Sequence, residues 1–162
     1  MSTDQYYDRY GRLCPLGPDD RPRPRKGIFA LIVSPGAWCL LTWPNIDTPC
    51  AELPGGGFEP GVTPYDALLR EIYEETGVVV YSELKADKHY SQHVNLYAED
   101  MPAFLDYDQE FRLVRLDAPP DDFFTEKRIN PEGGWAQWVP FDRLNEIMMH
   151  AAHRPAIAAL MA

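Results

Sequence analysis

An α+β fold, with a mixed β-sheet held between helices as an α/β/α sandwich, is what this sequence predicts. Three observations support it. Apolar or alternating runs of strand length come in neighbouring pairs rather than in strict strand–helix alternation. A single helix near the middle of the chain carries start and stop signals at both ends. The chain has 162 residues, enough for one domain whose core needs no disulfide or metal staple.

Taken in order, residues 1–26 read as an irregular N-terminal arm and 27–162 as the folded domain. The stretch "CPLGPDDRPRPRKG" holds four prolines and two glycines, which block helix and interrupt sheet pairing. Its basic cluster, Arg21, Arg23, Arg25 and Lys26, is either a solvated run or an edge that contacts an anion. Tyr6, Tyr7 and Tyr10 suggest that part of the arm packs on something, and a second copy of the chain in a homodimer is one candidate. "GIFALIV" (27–33) is a continuous apolar run and reads as a buried strand. "SPG" turns the chain, and "AWCLLTW" (37–43) is its hairpin partner. "PNIDTP" is a loop, and "CAEL" (50–53) is a short extended piece leading into three glycines.

The central helix starts at Thr63 as N-cap, with Pro64 at the first helical position and Asp66 completing a pair that resembles a capping box. Gly77 stops it. "VVVYSEL" follows. "KHYSQHVNLYA" alternates with period two, placing Tyr90, Gln92, Val94 and Leu96 on one face and His89, Ser91, His93 and Asn95 on the other. "EFRLVRL" (110–116) and "WAQWV" (135–139) are further strands. "PFDRLNEIMM" reads as a helix and "RPAIAALMA" as a short final one. The segments 44–50, 99–109 and 117–134 are left as loops.

Charge and cysteine content narrow the function. The formal net charge is −10, with 25 acidic against 15 basic residues. Such a surface disfavours nucleic-acid polymers and anionic lipid. It leaves room for a small phosphorylated ligand held through a bridging cation, because a bound metal inverts the local charge logic. Cys14, Cys39 and Cys50 have no CxxC spacing, so neither a disulfide framework nor a zinc site is expected. The first residues lack a signal-peptide core and no run is long enough to span a bilayer, so a cytoplasmic location is the expectation.

The helix concentrates the chemistry. At about 100° per residue, Glu71, Glu74 and Glu75 fall within an arc of about 100°. Leu68, Leu69 and Ile72 occupy the neighbouring flank. Arg70, four residues before Glu74, can pair with it. An acidic helix face is often only a solvated one. Three consecutive glycines just upstream change that reading, since they let backbone approach a ligand closely. Hard cations such as Mg²⁺ favour this combination of carboxylate and carbonyl oxygens.

These residues carry a family resemblance. Gly56, followed at the required distance by Arg70-Glu71-Ile72-Tyr73-Glu74-Glu75-Thr76-Gly77-Val78, resembles the Nudix box: Gly, five residues, Glu, seven residues, then Arg-Glu-apolar-any-Glu-Glu-any-Gly-apolar. "LPGGG" before it and "EPG…TP…AL" within it are also similar to the family. The motif spans 56–78, with a looser likeness over about 27–150. One position departs: Val62 stands where the box has its first Glu.

The resemblance implies the Nudix fold and hydrolysis, with Mg²⁺ or Mn²⁺, of the diphosphate linkage in a nucleoside diphosphate derivative or related organic diphosphate. It implies Glu74 and Glu75 as principal metal ligands, with the Gly55 carbonyl assisting. Glu71 would ligate a further metal or orient the attacking water, and Arg70 would hold the glutamates. An acid beyond the box would complete the site, the candidates being Asp106, Asp108, Glu110, Glu126 and Glu132. Phe58, Trp43 and Trp135 are either core residues or platforms for a base. His89 and His93, without a third ligand nearby, read as a polar sheet face. The alternative from another class is a binding domain that senses a phosphorylated ligand without turnover, and Val62 is the feature that keeps it open.

Overall fold

The computed structural model describes residues 4–80, 88–117 and 128–162. The strands are β1 (Tyr6–Tyr7), β2 (Leu13–Cys14), β3 (Arg23–Ser34), β4 (Trp38–Trp43), β5 (Gly55–Gly57), β6 (Lys88–Ala98), β7 (Ala103–Arg115), β8 (Arg128–Ile129) and β9 (Trp135–Pro140). The helices are α1 (Pro64–Thr76) and α2 (Arg154–Met161), with a 3₁₀ turn at Phe141–Glu146 between β9 and α2. All strands join one mixed sheet in the order β2-β1-β6-β7-β3-β4-β9-β8, with β5 added to β3. The β3–β7 and β1–β6 pairings are parallel, and the others are antiparallel. No helix among the described residues is long and apolar enough to cross a membrane.

The unbroken apolar run in β3 has a simple cause. Successive strand residues point to opposite faces. Phe29, Leu31 and Val33 enter one core with Leu105, Phe111, Leu113 and the α2 residues Ala156 and Leu160. Ile28, Ala30 and Ile32 enter the other with Leu68 and Ile72 of α1 and Trp138 of β9. A central strand covered on both faces must be apolar at every position. One helix on each face gives the α+β sandwich that the sequence predicts.

Five segments differ from the sequence reading, one being β8, a two-residue strand paired with β9 inside the expected loop 117–134. β3 begins at Arg23, and β1 and β2 lie inside the expected irregular arm. Pro24 is tolerated because β3 has a strand on only one side there, where Arg23–Lys26 pair with β7. Tyr6 is buried and donates to Asp106 at 2.6 Å. Secondly, 103–109 is strand rather than loop. Ala103, Leu105, Tyr107 and Gln109 alternate inward, while the acids Asp106 and Asp108 point away from the core and disguise the pattern. Thirdly, 141–146 is a 3₁₀ turn, not an α-helix. Phe141, Leu144 and Ile147, spaced by three, all pack on the core, which suits three residues per turn. Finally, 78–80 has no regular structure, and the rest of "VVVYSEL" lies outside the described residues.

All three cysteines are free thiols. Burial pushes Cys39 up to about 12 and Cys50 up to about 11, so neither is a thiolate nucleophile near neutral pH.

His150 and His153 stack with ring centroids 4.6 Å apart beneath Phe29 and beside β6–β7. The His153 Nδ1 accepts from the Leu53 amide at 3.1 Å, and the His150 Nδ1 accepts from the Ala152 amide at 3.2 Å. Burial first, then Arg9, lowers His150 from 6.5 to about 4, against the opposing pull of Asp8 and Asp100. Above pH 6.5 the ring is neutral in both folded and unfolded chains, and its contribution to stability is complete. As the pH falls, the unfolded chain takes a proton near 6.5 and the folded chain does not until about 4, so stability is lost through that window. His150→Gln keeps an acceptor for Ala152 and removes the titration. Urea unfolding at pH 7.5 and pH 5 should show wild type losing about 2 kcal/mol more than the variant. Equal losses would refute the burial argument.

Candidate functional site

Helix α1 is placed by the signals at its ends. The Thr63 hydroxyl accepts from the Asp66 amide at 3.2 Å, Pro64 opens the first turn, and Gly77 closes the helix at φ 71° with its N–H on the Tyr73 carbonyl. Ala67, Leu68, Ile72 and Thr76 are buried. That burial leaves Glu71 and Glu75 along the border between core and solvent, on the side facing β5, and Glu74 exposed beside them.

The glycines of β5 lie directly over this stripe. Gly55 pairs with Phe29 and Gly56 with Ile28. The Gly55 amide is 3.4 Å from a Glu75 carboxyl oxygen. A Cβ placed on Gly56 would stand 3.6 Å from the Glu71 carboxyl carbon. Beside Gly57, the space for a side chain is filled by the Arg25 guanidinium.

The three acids are not equivalent. Glu71 and Glu75, one turn apart, share a hydrogen bond. Burial pushes Glu75 well up from the usual carboxylate range, and the charges of Glu71 and Glu52 push further. Glu71 is raised by burial and by Glu74, against the pull of Arg70. Glu74 is turned outward, 3.7 Å from the Arg70 Nε, while an Arg70 terminal nitrogen is 3.3 Å from Glu71. Among the described residues, no three His, Cys, Asp or Glu side chains converge tightly enough to hold a metal as they now lie. The donor set nevertheless fits a hard divalent cation. Two half-buried carboxyls in hydrogen-bonding contact cannot both ionise cheaply unless a cation offsets them, and oxygen donors are what Mg²⁺ and Mn²⁺ take.

The other candidates divide clearly. Phe58 is half-buried against the α1-side core and lines a groove of about 1060 Å³ with Lys26, Glu59, Val62 and Asp108. Trp43 is buried and stacks on Trp135 with centroids 3.8 Å apart, so one of its faces is already covered. Glu132 is exposed in a groove of about 560 Å³ that it shares with Tyr73, Glu74, Glu75 and Asn130. Asn130 fixes that loop: its side chain accepts from the Glu132 and Gly134 amides at 2.9 and 3.1 Å and lies 3.4 Å from the Glu75 carbonyl. Asp106 accepts from Tyr6, Asp108 pairs with His93 at 2.7 Å, and Glu110 pairs with Arg112. Glu126 lies outside the described residues. His93 is thus engaged by a carboxylate, and His89 faces solvent.

Two residues near the site had not been singled out from the sequence. Glu52 lies three residues before Gly55 in "CAELPGGG". Burial, opposed by Arg9, raises it to about 7. Its closeness to the glycines was the available signal. Arg9 offered none, because its approach to Glu52, at 3.7 Å, depends on how the arm folds back.

A family model for the NUDIX domain matches residues 22–160. Solved structures share the fold. A bifunctional NMN adenylyltransferase/ADP ribose pyrophosphatase from Francisella tularensis has a TM-score of 0.65 at 18% identity, covering 90% of this chain and 42% of that one. The Ap4A hydrolase of C. elegans has a TM-score of 0.55 at 18% identity, covering 85% and 98%. A MutT NUDIX hydrolase from Burkholderia pseudomallei has a TM-score of 0.54 at 22% identity, covering 85% and 96%. Among curated proteins, none matches the chain in sequence.

Proposed function

Because the chain belongs to the NUDIX domain family, we propose that it hydrolyses the diphosphate linkage of a nucleoside diphosphate derivative or related organic diphosphate, using Mg²⁺ or Mn²⁺. One observation carries this reading: two carboxyls of α1, Glu71 and Glu75, sit in mutual contact under the glycine loop with raised affinity for protons. Positive charge is what such a pair lacks. Glu75 and Glu71, with Glu74 and the Gly55 backbone, would hold the cation, which when bound neutralises diphosphate charge and lowers the pKa of water. Arg70 restrains Glu71 and Glu74 through its two ion pairs. Glu71 would ligate a further metal or help orient the attacking water. Glu132 lines the same groove as Glu74 and Glu75 and would assist from there. Phe58 offers a ring to the substrate from the larger groove, and Trp43 acts by holding Trp135.

The test is a panel of nucleoside diphosphate derivatives with Mg²⁺ or Mn²⁺, reading phosphate after coupling to a phosphatase. Metal-dependent turnover supports the proposal. Metal-dependent binding without turnover assigns the chain to ligand sensing instead. Val62 favours that second reading. It is 38% exposed just before α1, where the family carries an acid, and Arg70 is correspondingly more than half exposed. Val62→Glu should raise kcat by about 3- to 10-fold if a third carboxylate steadies Arg70, at a stability change within about 0.5 kcal/mol for a surface site. An unchanged kcat would mean that position 62 does not limit the reaction.

A further inference from the structure

We propose that Arg9 determines specificity at this site, its guanidinium reading a carbonyl oxygen on the base of the substrate. This rests on the reading of the substrate as a nucleotide derivative, and it brings in a residue that lies before the matched span of 22–160.

A cavity of about 220 Å³ opens beneath Gly55–Gly57, on the side away from α1. It is smaller than the pockets of about 300–1,000 Å³ that enclose drug-sized ligands, so it holds one ring of a nucleotide and not the whole. Phe29, Met101, Leu105 and Tyr107 supply apolar walls suited to a flat heterocycle. Arg9, Glu52 and Asp100 cluster at one edge of it, and Arg25, Gln109, His150 and His153 are the other polar side chains of its lining.

Arg9 is held in place by its backbone. Asp8, buried, accepts from the Tyr10 and Arg12 amides, each at 2.9 Å, and pairs with the Arg12 side chain at 2.7 Å. The Arg9 carbonyl accepts from Ala151 at 2.8 Å. This turn directs the side chain inward, where it is 12% exposed. Among the described residues its guanidinium reaches no acceptor at hydrogen-bonding distance: the nearest carboxylate oxygens, of Glu52 and Asp100, are 3.7 and 3.8 Å away. Ordered donors at the edge of a half-open cavity, without a close acceptor, can take one from a ligand.

The flanking acids select the ligand. Above pH 7, where Glu52 is ionised, Glu52 and Asp100 offset the charge of Arg9, which disfavours a phosphate at this point. They leave an edge that reads acceptor, donor, acceptor. A base with a carbonyl beside a ring N–H complements it: the carbonyl accepts from Arg9 and the N–H donates to Glu52. Guanine and uracil have that pair of groups. Adenine and cytosine do not.

Nucleoside monophosphates test this without requiring hydrolysis. GMP, UMP, AMP and CMP are titrated calorimetrically, with Mg²⁺, into wild type, Arg9→Met and Arg9→Lys, each checked by thermal melting. Wild type should bind GMP and UMP at least about 10-fold tighter than AMP and CMP, the scale of one good side-chain–base pairing. Arg9→Met should bring all four within about threefold, while Arg9→Lys, which keeps a donor, should retain part of the preference. Equal affinities in wild type, no binding at all, or a uniform loss across the four bases in Arg9→Met would overturn the proposal. Base preference in a protein that hydrolyses no diphosphate would sustain Arg9 and refute the hydrolase reading. Turnover without base preference would do the reverse.

Discussion

Glu75→Gln should lower kcat by about 10²- to 10⁴-fold at saturating Mg²⁺ and, in chelator at pH 8, raise the melting temperature above that of wild type. The two effects share one cause. Glu75 is half-buried, its carboxyl meets Glu71, and Glu52 adds further negative charge. Its folded pKa therefore lies well above its unfolded one. Such a group contributes stability that is fully present below the unfolded value, near 4.5, and is lost as the pH rises through the folded value. At pH 8, above the unfolded value, the metal-free protein has less of it than at low pH. Glutamine imitates the protonated acid, its amide oxygen still able to accept from Gly55, and carries no charge to desolvate. The gain should shrink as the pH is lowered to 5.5. With Mg²⁺ at millimolar concentration it should reverse, because only the carboxylate draws stability from the ion. Differential scanning calorimetry under these conditions, beside the kinetic assay, gives the answer. A variant less stable than wild type in chelator at pH 8 would show that Glu75 is not a strained acid, and full activity would remove it from the chemistry.

Gly55→Ala should cost more than 2 kcal/mol of stability and most of the activity. Gly55 has φ 141°, a region that L side chains rarely adopt, and this strain is on the order of 1–3 kcal/mol. A Cβ there would also land on the Ile28 carbonyl and the Phe29 Cα. Both are backbone atoms of the central strand, so β5 rather than β3 has to move. That movement takes the Gly55 amide off Glu75. Gly61→Ala is the matched comparison: φ is 91°, but nothing lies within 4 Å of the added methyl. It should lose about 1 kcal/mol and keep its kcat. Chemical denaturation and kinetics on both variants separate the two costs. If the two substitutions behave alike, the close approach of β5 to β3 has no functional weight.

How much of this was legible beforehand differs element by element. β3 and β4 were readable because burial on two faces writes an apolar residue at every position. The bounds of α1 were readable because Thr63, Pro64 and Gly77 act locally, within one turn of the ends they mark. β7 was only half readable. Its outward positions between 104 and 110 include Asp106, Asp108 and Glu110, and acids at alternate places look like a polar loop until the inward partners are known. The 3₁₀ turn at 141–146 reads in sequence as part of a longer helix over 140–149, since a spacing of three apolar residues suits both over so short a length.

The sequence alone determined the family, the carboxylates of α1 and the glycines that meet them, because a helix and the loop feeding it lie close along the chain and follow local rules. Tertiary structure alone decided which of those acids touch. It paired Glu71 with Glu75 and turned Glu74 out to Arg70. It also brought Arg9 to Glu52 across 43 positions of sequence, together with Asp100. Contacts of that kind depend on sheet order and on how the arm returns, and those follow from the burial of the whole core rather than from any stretch of residues within it.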